Sequence, residues 1–387
     1  MHTVVVGGGF GGVKAALELS KRQIGKVTLI SDEPYFLHHA TLYATATGRN
    51  DAESVIPLHT IFATHPNVEI IQDKITTFDP QRHLISSKKK DYHYDKLVLA
   101  LGSVTTYFDV KGLRDHAYGI KTLNDLKKFR EHIHDEVVSK RLDKELFVIG
   151  GGHTGIELAS ALNQYLNELK NTYQLKAAAP KVMLVEVAPR ILTKMSVTAS
   201  KKVKHELQKQ GIKVLTNHRV ETLDENSITI DGKDYPTSTA LWTSGVINNP
   251  FYAHHAKHFR LTPKGQVIVD AYLEALPDVY VIGDNNTVKY SGLASAAIKQ
   301  AKHVAKNITR LATGRPQAAY HPTSSPASVP VGDRWGYVEW FGVYLDGKSG
   351  ALLRRYIELH GYCQLMPSKM ARTIWRAHYL AEVDDQL

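Results

Sequence analysis

The chain has 387 residues, of which 43% are hydrophobic and 22% are charged, and its formal net charge is +10. This length suits two or three domains, and the composition is that of a soluble globular protein and excludes a disordered one. No run of 18 or more apolar residues occurs, so the sequence offers no membrane-spanning helix. The glycine-rich N-terminus lacks the basic start and long apolar centre of a signal peptide, so we expect a cytoplasmic protein.

Cysteine content limits the redox chemistry. The sequence contains one cysteine, Cys363, so neither an intramolecular disulfide nor a CxxC redox pair exists. Any electron transfer must therefore use a bound cofactor and not a thiol pair. The excess of Lys and Arg suits an anionic partner such as a dinucleotide, an acidic lipid headgroup or nucleic acid, but it also fits an ordinary basic protein.

The chain opens with a strand, a glycine turn, a helix and a second strand. An apolar strand at residues 3–6 leads into Gly7-x-Gly9-x-x-Gly12, and the helix-like VKAALELSKR and the strand KVTLI follow. In this pattern Gly7 permits a tight turn, Gly9 lets the backbone approach a pyrophosphate, and Gly12 lets the helix pack on the strand. The second strand ends near Asp32, about twenty residues later, where a ribose-binding acid is expected. The pattern predicts a dinucleotide site.

The same pattern returns in the middle of the chain. The strand LFVI leads into Gly150-x-Gly152-x-x-Gly155, and the second strand of this unit ends at Glu186. Two such units predict two nucleotide-binding domains. A carboxylate at Glu186 accepts hydrogen bonds from a ribose 2′-hydroxyl and repels a 2′-phosphate, so NADH is favoured over NADPH. Arg190, close by in the sequence, weakens that preference.

Three further positions have both a structural and a functional interpretation. Glu157, in the first turn of the second helix, either complements the helix dipole or faces a nicotinamide, and the residues alone favour the first. Asp284 follows Gly283 at the end of the strand VYVI and is either a turn residue or a cofactor contact. The helix that begins near Ala294 is placed to turn its positive end towards a cofactor.

The histidines and the tail need separate interpretation. His254-His255-x-x-His258 lacks a cysteine or carboxylate partner, and on a helix its three imidazoles would not converge, so we expect no metal site. His38 and His39 are expected to pack near the first nucleotide site. The tail, residues 331–387, interleaves aromatic and basic residues at helical spacing, which suits a membrane interface or a dimer interface. Its members include Trp335, Trp340, Tyr344, Leu352, Leu353, Arg354, Arg355, Tyr356, Ile357, Lys369, Met370, Arg372, Ile374, Trp375, Arg376 and Tyr379.

These motifs in this order resemble the flavoproteins with two dinucleotide-binding domains and, among them, the single-subunit type II NADH:quinone oxidoreductases. The matching stretches run from residue 4 to about residue 316 and include VVVGGGFGGVKAALEL, YDKLVLALGSVTTYF, VIGGGHTGIELASAL, ALWTSGV and VYVIGD. The C-terminal segment matches the family only in its interleaved aromatic and basic residues. The resemblance implies an α/β fold with two Rossmann-type domains and a C-terminal interface segment. The implied boundaries are residues 1–111 and 257–325 for an FAD domain, 112–256 for an inserted NADH domain, and 326–387 for the segment.

The resemblance also implies the binding residues. FAD would be held by Gly7, Gly9, Phe10, Gly11, Gly12, Asp32, Ala100, Leu101, Gly102, Gly283, Asp284, Ala294 and Ser295. NADH would lie on Gly150, Gly152, His153, Thr154 and Glu186, with Gly245 near the nicotinamide end. Glu157 matches the family's glutamate beside the stacked nicotinamide and flavin, which favours the functional interpretation of that residue.

Two positions depart from the family pattern. The family's ribose acid falls on Ser31, so Asp32 would have to take its role. The family's quinone motif AQxAxQ reads Ala294-Ser295-x-Ala297-x-Lys299, which loses both glutamines, and Gln300 stands one position later. We predict Lys299 as a catalytic residue that stabilises a developing quinol anion, with solvation on the helix surface as the alternative.

The function implied is transfer of electrons from NADH through FAD to a quinone, without proton pumping. The expected partners are a quinone and a membrane surface on the cytoplasmic face, with a homodimer as a further option and no nucleic acid. Relatives that use cysteines beside the flavin are excluded because the one cysteine lies in the tail. Two alternatives stay open: an NADH reductase for a protein acceptor such as a ferredoxin, and an NADH-sensing interaction protein resembling apoptosis-inducing factor.

Overall fold

The computed structural model describes residues 1–139, 141–174 and 180–379. The strands are β1 His2–Val6, β2 Lys26–Ser31, β3 Tyr35–Leu37, β4 Val55–Pro57, β5 Val68–Gln72, β6 Ile75–Asp79, β7 Leu84–Ser87, β8 Asp91–His93, β9 Lys96–Leu99, β10 Ser103–Thr105, β11 Glu145–Ile149, β12 Lys181–Glu186, β13 Lys213–Thr216, β14 Val220–Leu223, β15 Ser227–Ile230, β16 Lys233–Pro236, β17 Ala240–Trp242, β18 Val246–Asn248, β19 Glu274–Leu276, β20 Val279–Val281, β21 Ala327–Pro330, β22 Gly336–Trp340 and β23 Val343–Asp346. The helices are α1 Phe10–Arg22, α2 Leu42–Ala46, α3 Leu58–Ile61, α4 Leu113–His116, α5 Leu123–Val138, α6 His153–Thr172, α7 Val197–Lys209, α8 Pro250–His254, α9 Ala294–Ala312, α10 Gly347–Leu365 and α11 Ser368–Arg376.

The first sheet has six strands in the order β19-β20-β9-β1-β2-β5, and all neighbours are parallel except β19 and β20. Its central strands are buried on both faces, which explains why their sequences are nearly continuous runs of apolar residues. Val5 faces the core beneath α1 and α9, whereas Val4 and Val6 face the core shared with the small antiparallel sheet β6-β7-β8. The sheet is therefore covered on both sides, and only its strand ends remain for ligands.

The second sheet repeats this design with four parallel strands in the order β13-β12-β11-β17. Leu146 and Val148 face the core under α5 and α6, and Phe147 and Ile149 face the antiparallel sheet β14-β15-β16. Its strands lie between those of the first sheet in sequence, and the antiparallel pair β10-β18 joins the two units. The predicted α/β class with two Rossmann-type units is confirmed.

The C-terminal segment contacts both units. The antiparallel sheet β21-β22-β23 lies on α7, where Glu339 accepts hydrogen bonds from the amide and hydroxyl of Ser196. Helix α10 packs on α1 and places Tyr362 and Leu365 in the core of the first unit. Among the described residues, no helix is both long and apolar enough to cross a bilayer. The segment is thus built into the molecule, and only part of its surface is free.

Candidate active site

The first glycine turn has the geometry that its spacing predicts. Gly7 has φ +116°, and a Cβ there would lie 2.3 Å from the carbonyl oxygen of Ala100. A Cβ on Gly12 would lie 1.8 Å from the carbonyl oxygen of Gly7, so the helix can approach the strand only without a side chain. A Cβ on Gly9, by contrast, would meet no atom within 4 Å. The backbone at Gly9 therefore borders open space wide enough for a ligand.

The second glycine turn has nearly the same geometry. Gly150 has φ +120°, and a Cβ on Gly155 would lie 1.8 Å from the carbonyl oxygen of Gly150. Gly152, like Gly9, borders open space. Neither α1 nor α6 has a side-chain cap, so the first amides of both helices are free to bind an anion. Both turns thus fit a dinucleotide pyrophosphate.

The first turn lies at the carboxyl edge of its sheet with two other loops. The register aligns Val6 with Leu99 and Leu99 with Val281, so residues 7–12, 100–102 and 283–284 leave the sheet side by side. We call these three segments the first loop cluster. Such an edge is where parallel α/β sheets bind ligands. Predicted members of the site that are far apart in sequence are therefore adjacent in the fold.

The first loop cluster has polar and positively polarised groups around open space. Gly102 and Gly283 have φ of +64° and +81°, and a Cβ on Gly102 would meet no atom within 4 Å. The carboxylate oxygen Oδ2 of Asp284 accepts a 2.8 Å hydrogen bond from the Ser103 hydroxyl. Helix α9 begins at Ala294 without a side-chain cap, so the amides of its first two residues, Ala294 and Ser295, are available to a ligand. These groups fit the expected FAD.

The other predicted contacts of the first cluster lie close by. Leu101 accepts a 3.3 Å hydrogen bond from Asn249 through its carbonyl oxygen. The Phe10 ring packs on the buried His38 ring with centroids 5.3 Å apart, which confirms that His38 packs near this turn. A Cβ on Gly11 would lie 3.3 Å from Cδ1 of Ile282, so Gly11 packs closely against that side chain. Asp32 is exposed just beyond the end of β2, while Ser31 is buried beneath the turn at Gly8.

The second turn has its own acid. One oxygen of Glu186 accepts a 2.6 Å hydrogen bond from the Gly151 amide, and the other accepts a 2.7 Å bond from the Ala188 amide. The guanidinium of Arg190 donates to the carbonyl oxygens of three residues in the following loop, Leu192, Thr193 and Met195. The Arg190 guanidinium is therefore engaged with the backbone of this loop, and its effect on the preference for NADH stays a prediction. Glu186 remains the charged group beside the turn.

The nicotinamide end of the second site is also formed at a sheet edge. Ile149 aligns with Val185 and with Trp242, which brings residues 243–245 next to the second turn. The Thr243 hydroxyl donates to the carbonyl oxygens of Ile149 and Gly150. Gly245 has φ +86°, and a Cβ there would lie 2.4 Å from the Phe108 ring. His153 and Thr154 begin α6, with Thr154 exposed at the open side.

Glu157 lies on α6 and faces the C-terminal helix. Its side chain is 13% exposed, and Oε1 is 3.9 Å from Nη2 of Arg354. Burial raises the pKa of Glu157 to about 8, Arg354 acts to lower it, and Glu358 acts to raise it further. Arg354 also donates a 2.7 Å hydrogen bond to Glu358 and lies 5.6 Å over the Tyr43 ring. A protonatable carboxyl group therefore stands between the two units, within reach of a fixed cation.

The charged network around Glu157 was not predicted from the sequence. Arg354 and Arg355 were interpreted as part of a basic interfacial face, and this is wrong because both are buried and bind Glu358. A second buried pair lies nearby, in which both oxygens of Glu53 are 3.0 Å from Nδ1 of His378. The spacing of Arg354, Arg355 and Glu358 could have indicated this network, because it places opposite charges three and four residues apart on one helix.

Lys299 is held by the crossing that follows α9. Its ammonium group donates to the carbonyl oxygens of Thr323 and Ser324 and to the hydroxyl of Ser325, at 2.9–3.2 Å. These bonds use all three of its donors, so Lys299 is not simply solvated, and no donor remains for a quinone oxygen while they persist. Gln300 is buried and accepts from the Gly283 amide, so it supports the first loop cluster from below.

Two histidines of the His254-His255-x-x-His258 motif pack against an aromatic ring. The imidazoles of His255 and His258 meet the Phe78 ring edge-on, with centroids 6.2 and 5.6 Å apart. No group of three or more His, Cys, Asp or Glu side chains within the described ranges is arranged to hold a metal ion. His39 is exposed, yet desolvation lowers its pKa, as expected for a side chain in a cleft. Lys121 and Asp284 are the charged groups that act on it.

Comparison with known proteins agrees with this geometry. A type II NADH:quinone oxidoreductase of Staphylococcus saprophyticus is 23% identical over 94% of this chain and 95% of its own, and one of Staphylococcus aureus is 24% identical over 92% and 93%. The structure of NDH2 from Plasmodium falciparum in complex with NADH superposes with a TM-score of 0.87, 17% identity and coverage of 98% and 97%. The resemblance drawn from the motifs is thereby confirmed. Residues 1–301 match the model of one family, and the chain belongs to it: the pyridine nucleotide-disulphide oxidoreductases.

Proposed function

We propose that this chain is an FAD-dependent NADH:quinone oxidoreductase of the single-subunit type. The observation that carries the proposal is the pair of matching glycine turns, each with free helix amides, with Glu157 between the two units. The names of its relatives, type II NADH:quinone oxidoreductase, support the same assignment. The single cysteine excludes a dithiol as the electron carrier, so the flavin takes that role.

The residues of the chain bind and orient two cofactors. FAD, when bound in the first loop cluster, supplies the hydride-accepting chemistry. The free amides at the start of α1 and α9 would bind its negative groups, and Asp284 would accept hydrogen bonds from its hydroxyls. NADH would lie on the second turn, where Glu186 would accept a hydrogen bond from the ribose and repel a 2′-phosphate. Asp32 would take the corresponding role for FAD, and Gly245 would lie near the nicotinamide end.

Glu157 has the properties of the proton donor for quinone reduction. A hydride brings two electrons and one proton, whereas reduction of a quinone to a quinol consumes two electrons and two protons, so one proton must come from solution. The Glu157 carboxyl group, with its pKa of about 8, is mostly protonated at pH 7 and can transfer a proton from Oε to a quinone oxygen. Arg354 then stabilises the carboxylate that is left. Lys299 cannot donate this proton because its ammonium group is hydrogen-bonded to residues 323–325.

Anaerobic stopped-flow absorbance tests the proposal. The purified yellow protein is mixed with NADH and then with a short-chain quinone, and we expect bleaching of the flavin band followed by rapid recovery. The variant Cys363→Ser is the matched control and should behave as the parent does. Bleaching without recovery would instead favour a protein acceptor or a sensor, and absence of bleaching would contradict the assignment of the second turn to NADH.

We further propose that the C-terminal segment lies on the cytoplasmic face of a membrane. The hairpin β22-β23 and the outer face of α10 expose several large apolar side chains: Trp340, Phe341, Val343, Tyr344, Leu345, Leu352 and Tyr356. Phe341 is 80% exposed and has φ +50°, a conformation that disfavours its type of side chain. An aromatic side chain kept at such cost on a turn tip is typical of a surface that contacts a partner. Lys348, in the first turn of α10, is exposed beside this apolar surface, and apolar side chains next to a basic one suit a bilayer interface.

Vesicle flotation measures this association. We expect the protein to float with anionic vesicles, less so at high salt, and Phe341→Asn to reduce the bound fraction severalfold. Val138→Asn, which changes an exposed apolar residue on α5, is the matched control and should have no effect. Equal flotation of the parent and Phe341→Asn would contradict the proposal, and a concentration-dependent dimer lost in Phe341→Asn would assign the surface to a second copy.

A further inference from the structure

Lys121 lies on the inserted unit but reaches the first loop cluster. It stands just before α5, where the Asp125 carboxylate accepts hydrogen bonds from the amides of Lys121 and Thr122. The side chain crosses to the other unit, and its ammonium group donates a 3.1 Å hydrogen bond to the hydroxyl of Ser103. The same hydroxyl donates to Asp284 at 2.8 Å. Hydrogen bonds therefore fix the Lys121 backbone on Asp125 and its ammonium group on Ser103.

The charge of Lys121 is not neutralised by a direct partner. Within the part of the chain that the structure describes, its nitrogen forms no salt bridge, Asp284 is the one charged group that acts on it, and the Ser103 hydroxyl is its one hydrogen-bond acceptor. Burial lowers the pKa of Lys121, and Asp284 opposes that shift from beyond the serine. A half-buried ammonium group with two unused donors is costly unless something negative comes to it. The exposed His39 stands on the same side of the cleft.

We infer that Lys121 stabilises the negative charge of the reduced flavin. The inference rests on the proposed placement of FAD in the first loop cluster, since it is there that Ser103 and Asp284 bring the lysine. Oxidised flavin is neutral in its ring system and reduced flavin is an anion, so a fixed cation binds the second form more tightly than the first. At a separation of several ångströms in a partly buried site, one full charge alters this ratio of affinities about tenfold to a hundredfold.

A purely structural role makes a different prediction. If Lys121 only tied the inserted unit to Ser103 and Asp284, its loss would weaken both redox states of the cofactor equally. The midpoint potential of the flavin would then stay unchanged, because it reports the ratio of the two affinities. The potential therefore separates the two roles, and it does so without any quinone.

The experiment uses the FAD-loaded protein and its variants Lys121→Met, Lys121→Gln and Lys121→Arg. Each is reduced anaerobically by a chemical reductant in equilibrium with a reference dye, and the two spectra give the midpoint potential. We expect the neutral variants to bind reduced flavin at least about tenfold less well relative to oxidised flavin, which lowers the two-electron potential by about 30 mV or more. Lys121→Arg keeps the charge and should stay near the parent, as should Lys127→Met, which removes an exposed lysine of α5.

A second readout is the affinity for sulfite, which adds to flavin and leaves the same negative charge on the ring. We expect the neutral variants to bind sulfite at least about tenfold more weakly than the parent. An unchanged potential and unchanged sulfite affinity would overturn the inference, and so would loss of FAD from both neutral variants. Failure of the parent to pass electrons to a quinone would overturn the proposed function and leave the result for Lys121 standing.

Discussion

Removal of the positive charge beside Glu157 should move the pH dependence of quinone reduction. Nη2 of Arg354 and Oε1 of Glu157 are 3.9 Å apart, and both side chains are largely buried. Two unit charges at about 4 Å interact by about 4 kcal/mol at an effective dielectric constant near 20. One pKa unit corresponds to about 1.4 kcal/mol, so this value sets an upper limit of about three units. Since Arg354 also neutralises Glu358, which itself raises the pKa of Glu157, we expect Arg354→Met to raise it by at least about one unit.

The assay is the rate of flavin reoxidation by a short-chain quinone, followed by stopped flow from pH 6 to pH 10. If Glu157 donates the proton, the rate is constant while the carboxyl group is protonated and falls as the pH rises through its pKa of about 8. In Arg354→Met this fall should begin at a pH at least about one unit higher. Glu157→Gln should be slow at every pH and lose the dependence. Arg354→Lys keeps a cation and should retain the fall near its original pH.

Stability needs its own control in this experiment. Loss of one partner from a buried charge pair costs about 3–5 kcal/mol, and Arg354→Met should cost less than this because Glu358 keeps its ion pair with Arg355. Thermal denaturation of the FAD-loaded variants measures this loss, and Arg354→Lys, which keeps a cation beside Glu358, should lose less stability than Arg354→Met. If a folded, FAD-loaded Arg354→Met protein shows the fall in rate at the same pH as the parent, Arg354 does not set the pKa of the proton donor and the reasoning is refuted.

Three further predictions follow from the geometry. Gly12→Ala should fail to fold or to bind FAD because its Cβ would meet the Gly7 carbonyl oxygen at 1.8 Å, whereas Gly9→Ala should keep the melting temperature of the apoprotein and lose FAD affinity. Circular dichroism measures the folding of both variants and titration measures their FAD affinity. If the two variants behave alike in both assays, the result would argue against a pyrophosphate at Gly9. Glu186→Ala should raise kcat/KM for NADPH relative to NADH about tenfold by removing the repulsion, and steady-state kinetics with an unchanged ratio would contradict the role of Glu186. Phe341→Asn should stabilise the protein by about 0.5–1 kcal/mol because asparagine tolerates positive φ, and urea unfolding with a lower midpoint would show that Phe341 packs on the protein.

Local motifs were predictable because their geometry is set within a few residues. A strand followed by glycines at fixed spacing produces the tight turn at Gly7 and Gly150 whatever the rest of the chain does. The end of β20 was predictable in the same way, and with it the position of Asp284. The shared edge of the first sheet then follows from the rule that ligands bind at the carboxyl ends of parallel strands. These local rules predict most of the fold and both nucleotide turns.

Contacts between distant segments could not be predicted from the residues alone. The bridge from Lys121 through Ser103 to Asp284 joins positions 18 and 181 residues apart, and no local pattern brings them together. Lys299 sits where the family's second glutamine does, yet its donors are used by residues 323–325, which a motif comparison does not include. In both cases the chemistry of the side chain was evident, and its partner was not.

The C-terminal helix α10 shows why burial must be known before a segment is given one role. Its outer face exposes Leu352 and Tyr356, as an interface helix would, while its inner face carries Arg354 to Glu157 and places Tyr362 in the core of the first unit. Deletion of residues 331–387 would therefore remove the cation beside the proposed proton donor together with any membrane contact. A loss of vesicle binding or of turnover in such a truncation could come from either change. Single substitutions on the outer face, such as Phe341→Asn on the adjacent hairpin, separate the two because they leave Arg354 and Glu157 in place.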